Sequence, residues 1–136
     1  MSRVSWFVTV VASTVVACND PVGPRVVTFE RLANPGTPPT PQLFGGDGRL
    51  MIQATFRTPC EPYDATADVS VVGAVIRLIV RGEATRSCPM DIVGTFFYRA
   101  TIVDPPIGSY SVRAVHTYAD ASWLPDSVDF GTVNLP

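Results

Sequence analysis

A single histidine and a short acidic segment are the side chains of this sequence best suited to catalysis or metal binding. His116 could serve as a general base or a metal ligand. No serine or cysteine nucleophile can be tied to it by spacing, and one histidine alone makes a poor metal site. Strand periodicity favours a hydrogen-bonded residue at the rim of a sheet. We therefore expect no catalytic residue, no enzyme activity and no cofactor.

The acidic segment follows Cys60 and reads CEPYDATAD over residues 60–68. Glu61, Asp64 and Asp68 could offer oxygen ligands to Ca²⁺, which prefers carboxylates and carbonyls, but their spacing does not match an EF-hand. A solvated loop that uses aspartate in its turns explains the same residues. The sequence accordingly predicts no metal site.

Aromatic residues in the connecting segments are the remaining candidates for binding. Trp123 lies in the segment between the last two predicted strands, Tyr118 directly precedes that segment, and Tyr63 lies in an earlier loop. Aromatic anchors in loops suit contacts with sugars or with proteins. The alternative is that Trp123 folds over the end of the core as a plug, in which case it binds nothing.

The N-terminal residues have the pattern of an export signal. Arg3 precedes an apolar run from Val4 to Ala17, a length typical of the apolar part of a signal peptide. A membrane-spanning helix needs about 20 apolar residues, whereas Asn19 and Asp20 end this run earlier. A buried strand is the other reading, but strands are usually about 5–6 residues long.

Residues 15–18, Val-Val-Ala-Cys, resemble the lipobox of bacterial lipoprotein signal peptides. The resemblance implies that residues 1–17 are removed and that Cys18 carries a thioether-linked diacylglycerol and an N-acyl chain, which anchor the protein to a membrane. Two or more acyl chains hold a protein stably. Asn19 after the cysteine favours the outer over the inner membrane. The implied location is the bacterial cell envelope, with the domain in the periplasm or at the cell surface.

Acylation of Cys18 blocks its thiol, which leaves two cysteines free to react in an oxidising compartment. Cys60 and Cys88 are then expected to pair, because exported domains with two cysteines usually form a disulfide. Two buried free thiols are the alternative. No CxxC motif or Cys/His cluster supports a metal site.

The charge distribution argues against nucleic acid as a partner. The chain has ten basic residues, all arginine, and twelve acidic ones, and the two signs are interspersed. Nucleic-acid binding leaves a clustered basic footprint, which this sequence lacks.

Most of the remaining chain alternates between apolar and polar residues with a period of two. This pattern predicts strands over 49–57, 67–72, 74–82, 92–103, 109–118 and 126–135, with a possible strand at 25–32. Recurrent Pro and Gly residues mark the turns between them, and no helical periodicity of useful length is present. Residues 18–48 read as a tether and a Pro/Gly-rich leader, and residues 49–136 as an all-β domain.

Residues 104–112, DPPIGSYSV, resemble the penultimate strand of fibronectin type III and related immunoglobulin-like domains. The resemblance implies an antiparallel immunoglobulin-like β-sandwich of about seven strands, in which Tyr110 forms the tyrosine corner by bonding back to nearby backbone. Two features depart from true immunoglobulin domains: Cys60 and Cys88 are too close in sequence for the disulfide between the sheets, and no tryptophan lies in a central strand.

Two functions remain open from the sequence. The first is a membrane-tethered envelope lipoprotein with a structural or interaction role, whose partner is another envelope protein or a second copy of the chain. In that case segment 25–32 could add as a strand to a neighbour. The second is a small-ligand or carbohydrate-binding sandwich that uses Trp123, Tyr118 and Tyr63.

Overall fold

The computed structural model describes residues 27–33, 40–60, 63–87, 93–119 and 123–136, except for the side chain of Phe96. The regular structure in these ranges is entirely β. In chain order the strands are β1 (Val27–Leu32), β2 (Gln42–Gly46), β3 (Arg49–Thr58), β4 (Tyr63–Val72), β5 (Val75–Ala84), β6 (Gly94–Val103), β7 (Gly108–Tyr118) and β8 (Asp126–Leu135).

The strands form two four-stranded sheets that enclose one core. One sheet has the order β1-β6-β3-β2 and the other β4-β5-β7-β8. Successive side chains of a strand point to opposite faces, so each alternating pattern places one apolar row between the sheets. On β3 the inner row is Leu50, Ile52, Ala54 and Phe56, all essentially buried. The predicted all-β, two-sheet sandwich is confirmed.

The sheets include two strands that precede residue 49. β1 pairs with β6 from Val27 opposite Ile102 to Leu32 opposite Phe97, and β2 pairs with β3. The Pro/Gly-rich composition of the leader hid β2, because a five-residue strand with two glycines gives almost no alternating signal. β1 occupies its own sheet in this structure, so it is not a free strand for a neighbouring subunit.

One strand pair departs from the expected wholly antiparallel arrangement. β5 and β7 run parallel, with Val75 opposite Ser111 and Gly82 opposite Tyr118. The intervening strand β6 crosses to the other sheet, so the chain returns to the second sheet in the direction in which it left. The antiparallel expectation is wrong at this pair. The other five strand pairings in the described residues are antiparallel.

Strand directions define two ends of the sandwich. We call the entry end the one where the chain enters β1 at Val27. It also carries turn 47–48, turn 73–74 and segment 104–107. The hydrogen bond from Asp104 N to Gly48 O (2.9 Å) joins the first and the last of these connections. The far end is where β3, β5 and β7 finish, and it carries Tyr63, Tyr118 and Trp123.

The local sequence determines the conformation of the β2–β3 turn at the entry end. Asp47 and Gly48 both have positive φ, 51° and 68°. A two-residue hairpin of the Asp-Gly kind needs this conformation, and it matches the twist of the flanking strands.

None of the described residues belongs to a helix long and apolar enough to cross a membrane.

Candidate functional site

A buried polar group lies between the sheets. The Tyr98 hydroxyl, on β6, is 3.0 Å from His116 Nε2, on β7. His116 is 1% exposed and Tyr98 is fully buried. The rings of Phe56 and Tyr98 approach His116 edge-on at centroid distances of 5.1 and 5.7 Å. His116 therefore lies inside the core, deeper than the rim position expected from sequence.

The second nitrogen of His116 has no hydrogen-bond partner among the described residues. Its Nδ1 is 3.9 Å from Asp126 Oδ2, at the start of β8, which is too long for a hydrogen bond. When the Tyr98 hydroxyl donates a hydrogen bond to Nε2, the proton of the neutral imidazole is on Nδ1 and points towards this carboxylate. The opposite tautomer would aim a lone pair at a negative charge, so the first arrangement is favoured.

Burial controls the ionisation of both rings. Desolvation lowers the pKa of His116, and the nearby Asp126 carboxylate only partly opposes this. Burial likewise raises the pKa of the Tyr98 hydroxyl. Both groups are therefore neutral near pH 7. Because neither ring reaches solvent, no substrate atom can touch them, and the arrangement is one of core packing.

Four aromatic side chains form a cluster at the far end. Tyr118 stacks on Phe56 at 5.5 Å, and Trp123 meets Tyr118 edge-on at 5.5 Å. The Tyr118 hydroxyl donates to the Arg57 carbonyl oxygen at 2.8 Å. Tyr63 completes the cluster, which we call the far-end aromatic cluster (Phe56, Tyr63, Tyr118 and Trp123).

Gly82 on β5 makes room for this cluster. A Cβ at residue 82 would lie 2.5 Å from the Phe56 ring and 3.1 Å from the Tyr63 ring. Any side chain at this position would push the rings apart. The sequence carries no sign of this requirement, because the contact joins three different strands.

The cluster faces inward more than outward. Tyr63 is 3% exposed, while Trp123 and Tyr118 are half-buried. The structure thus brings together the three aromatic residues singled out from sequence, but not as a row of exposed rings. The plug interpretation of Trp123 accounts for these contacts.

Two of the acidic residues after Cys60, Asp64 and Asp68, lie on β4, because this strand begins at Tyr63 and takes up most of the predicted loop. Asp64 and Asp68 are exposed on β4, and Asp68 forms an ion pair with Arg81 of β5. Glu61 lies outside the described residues. Within the described residues no group of histidine, cysteine, aspartate and glutamate side chains is arranged to hold a metal ion.

Two further arginine–acid pairs cross neighbouring strands. Arg99 contacts Glu30 at 2.8 Å, and Arg113 contacts Asp129 at 3.1 Å. The Gly131 amide and the Arg113 guanidinium both donate to the Asp129 carboxylate and lower its pKa. Each of these three pairs places opposite charges side by side on neighbouring strands.

The covalent and corner residues predicted from sequence are described only in part. Cys60 is buried just after β3, while Cys18 and Cys88 lie outside the described residues. The Tyr110 hydroxyl donates to the carbonyl oxygen of Ile107, three residues upstream, at 3.2 Å.

Comparison with protein-family models, with curated proteins and with solved structures finds no match to this chain.

Proposed function

We propose that this chain is a lipid-anchored protein of the bacterial cell envelope with a structural or protein-interaction role and no catalytic activity. The observation that carries the proposal is the Val-Val-Ala-Cys string at residues 15–18, after an apolar run of signal-peptide length. The first described strand begins at Val27, so an anchor on Cys18 precedes the folded domain by a short stretch of chain.

The sandwich is of the immunoglobulin-like kind in this proposal. The support is the Tyr110 hydroxyl bonding back to the Ile107 backbone, as in a tyrosine corner. The parallel β5–β7 pair marks a departure from the wholly antiparallel members of that class.

The same proposal includes a disulfide between Cys60 and Cys88. A bond here would close a loop of about 29 residues and contribute about 3–4 kcal/mol by the chain-entropy estimate. It would tie the end of β3 to the connection between β5 and β6 and hold the far end together.

The carbohydrate-binding alternative gains no support from the far-end aromatic cluster. A sugar platform needs exposed ring faces, whereas Tyr63 is buried and Trp123 packs against Tyr118. We therefore advance the interaction role alone.

Intact mass of the protein purified from bacterial membranes tests the anchor. We expect a chain beginning at Cys18 plus the mass of its acyl groups, and Cys60 and Cys88 alkylated only after reduction. The matched variant Cys18→Ala should lose the acyl mass and retain residues 1–17. A native protein that retains residues 1–17 contradicts the anchor, and two thiols alkylated without reductant contradict the disulfide.

A further inference from the structure

Three exposed aliphatic side chains lie at the entry end of the sandwich. Ile107 is 79% exposed, Val72 is 73% and Val75 is 39%. Val72 and Val75 face each other across the β4–β5 turn. Ile107 directly precedes β7, the strand that lies beside β5. Exposed apolar side chains that lie together are typical of contact surfaces.

A backbone hydrogen bond ties the β4–β5 turn to β7. Ser111 N, on β7, donates to Ala74 O, in the β4–β5 turn, at 2.9 Å. The Tyr110 hydroxyl holds the Ile107 carbonyl at 3.2 Å. The three aliphatic side chains come from two connections at the same end of the sandwich, and we call them the entry-end patch (Val72, Val75 and Ile107).

The chain reaches the proposed anchor from this same end. Val27 pairs with Ile102, one residue before the end of β6, and segment 104–107 follows that strand. Nine residue steps separate Cys18 from Val27, which span at most about 30 Å. β7 has eleven residues and is about 35 Å long. The entry end is therefore the part of the domain that the tether holds close to the membrane.

We propose that the entry-end patch rests on the surface of the phospholipid bilayer that holds the acyl chains of Cys18. The inference rests on the proposed lipid anchor. Apolar faces of interfacial helices insert into the boundary between headgroups and acyl chains to a depth of about 5–10 Å, and exposed aliphatic side chains on a turn can use the same boundary. Three aliphatic residues bind such a surface weakly on their own. The tether makes the contact intramolecular, so that its effective concentration is high and weak contacts become occupied.

Charge plays little part in this contact. In the described residues the entry end carries Asp47 and Asp104 against Arg49, and Arg77 lies two residues along β5 from Val75. These mixed charges form no basic cluster that would favour anionic lipids. Neutral phosphatidylcholine should therefore serve as well as an anionic mixture. The long axis of the sandwich then points away from the membrane surface, and the far-end aromatic cluster lies about 35 Å from that surface.

Tryptophan quenching by brominated lipids tests the orientation in the intact acylated protein. We would compare Ile107→Trp with Leu124→Trp, both in a Trp123→Phe background and reconstituted in phosphatidylcholine vesicles with bromine on the upper acyl carbons. Leu124 is the matched control, because it is 84% exposed and lies at the far end. We expect emission of the residue-107 tryptophan to fall by about twofold and that of the residue-124 tryptophan to stay nearly unchanged.

Several outcomes would overturn the inference. No quenching at residue 107, or equal quenching at both positions, means that the patch does not rest on lipid and leaves a protein partner as its occupant. Should Trp123→Phe not fold, the same tryptophans are placed in the native background and the constant emission of Trp123 is subtracted. Flotation of the same vesicles separates the two proposals. Protein that does not float lacks the anchor, whereas protein that floats without quenching has the anchor but not the contact.

Discussion

His116 shows how a single buried residue makes stability depend on pH. Its pKa is lowered in the folded protein because the ring is desolvated, while in the unfolded chain it returns to about 6.5. The unfolded state therefore binds a proton at a higher pH than the folded state. The contribution of this residue to stability is complete above pH 6.5 and is lost as the pH falls through 6.5 towards the lower pKa of the folded state.

We expect the urea midpoint of the protein to fall between pH 7.5 and pH 5.5, a window above the titration of ordinary carboxylates. The double variant Tyr98→Phe, His116→Leu is the matched control. It removes the titrating ring together with the hydroxyl that would otherwise lose its partner, and its midpoint should change much less over the same window. A wild-type midpoint that stays constant across this range would contradict the assignment.

β5 illustrates how much of an element can be read from its pattern. Its inner row is Ile76, Leu78 and Val80, and all three are buried. The arginines at 77 and 81 face outward, so the burial follows the period of two in the sequence. Alternation is enough here because one face of each strand lies on the core and the other meets solvent.

Two neighbouring residues on β5 provide a test of this difference between its inner and outer faces. Leu78→Ala should lower the free energy of unfolding by about 2–5 kcal/mol, because it opens a cavity in a fully buried site. Ile79→Ala, one residue along and on the outer face, should lower it by about 1 kcal/mol or less. Chemical denaturation of both variants measures the difference. Equal losses would mean that the outer face of β5 is packed as tightly as the core.

The sequence did not predict which strands pair with each other or in which direction. The strands β3, β6, β7 and β8 were expected close to their observed bounds, yet the parallel pairing of β5 with β7 was not. Contacts between residues far apart in the chain determine which strands pair. The alternating pattern within one strand does not identify the strand that lies beside it.

The whole molecule should unfold in one step. Both sheets contribute to a single buried cluster, which joins Leu50 and Ile52 of one sheet to Leu78 and Val112 of the other. Neither sheet keeps a covered apolar face when the other is removed, so partly unfolded forms are unstable.

Two spectroscopic probes check this cooperativity. Far-ultraviolet circular dichroism follows the strands, and the fluorescence of Trp123 follows the far end. Their urea transitions should coincide when the protein is kept under oxidising conditions. A tryptophan transition at clearly lower urea would show that the far end opens independently of the sheets.

The sequence by itself was enough to predict strands, their inward faces and the absence of helical patterning, because a period of two is a local property of neighbouring side chains. It also predicted a secretory, lipid-anchored chain from residues 1–18, a hypothesis that the fold leaves open. Only the tertiary structure decided that β1 joins its own sheet, that His116 lies deep between the sheets, and that Tyr63 and Trp123 pack together with Tyr118. The tertiary structure alone also brought Val72, Val75 and Ile107 to the end where the chain enters. Each of these depends on which distant strands meet, and burial and proximity are set by that pairing.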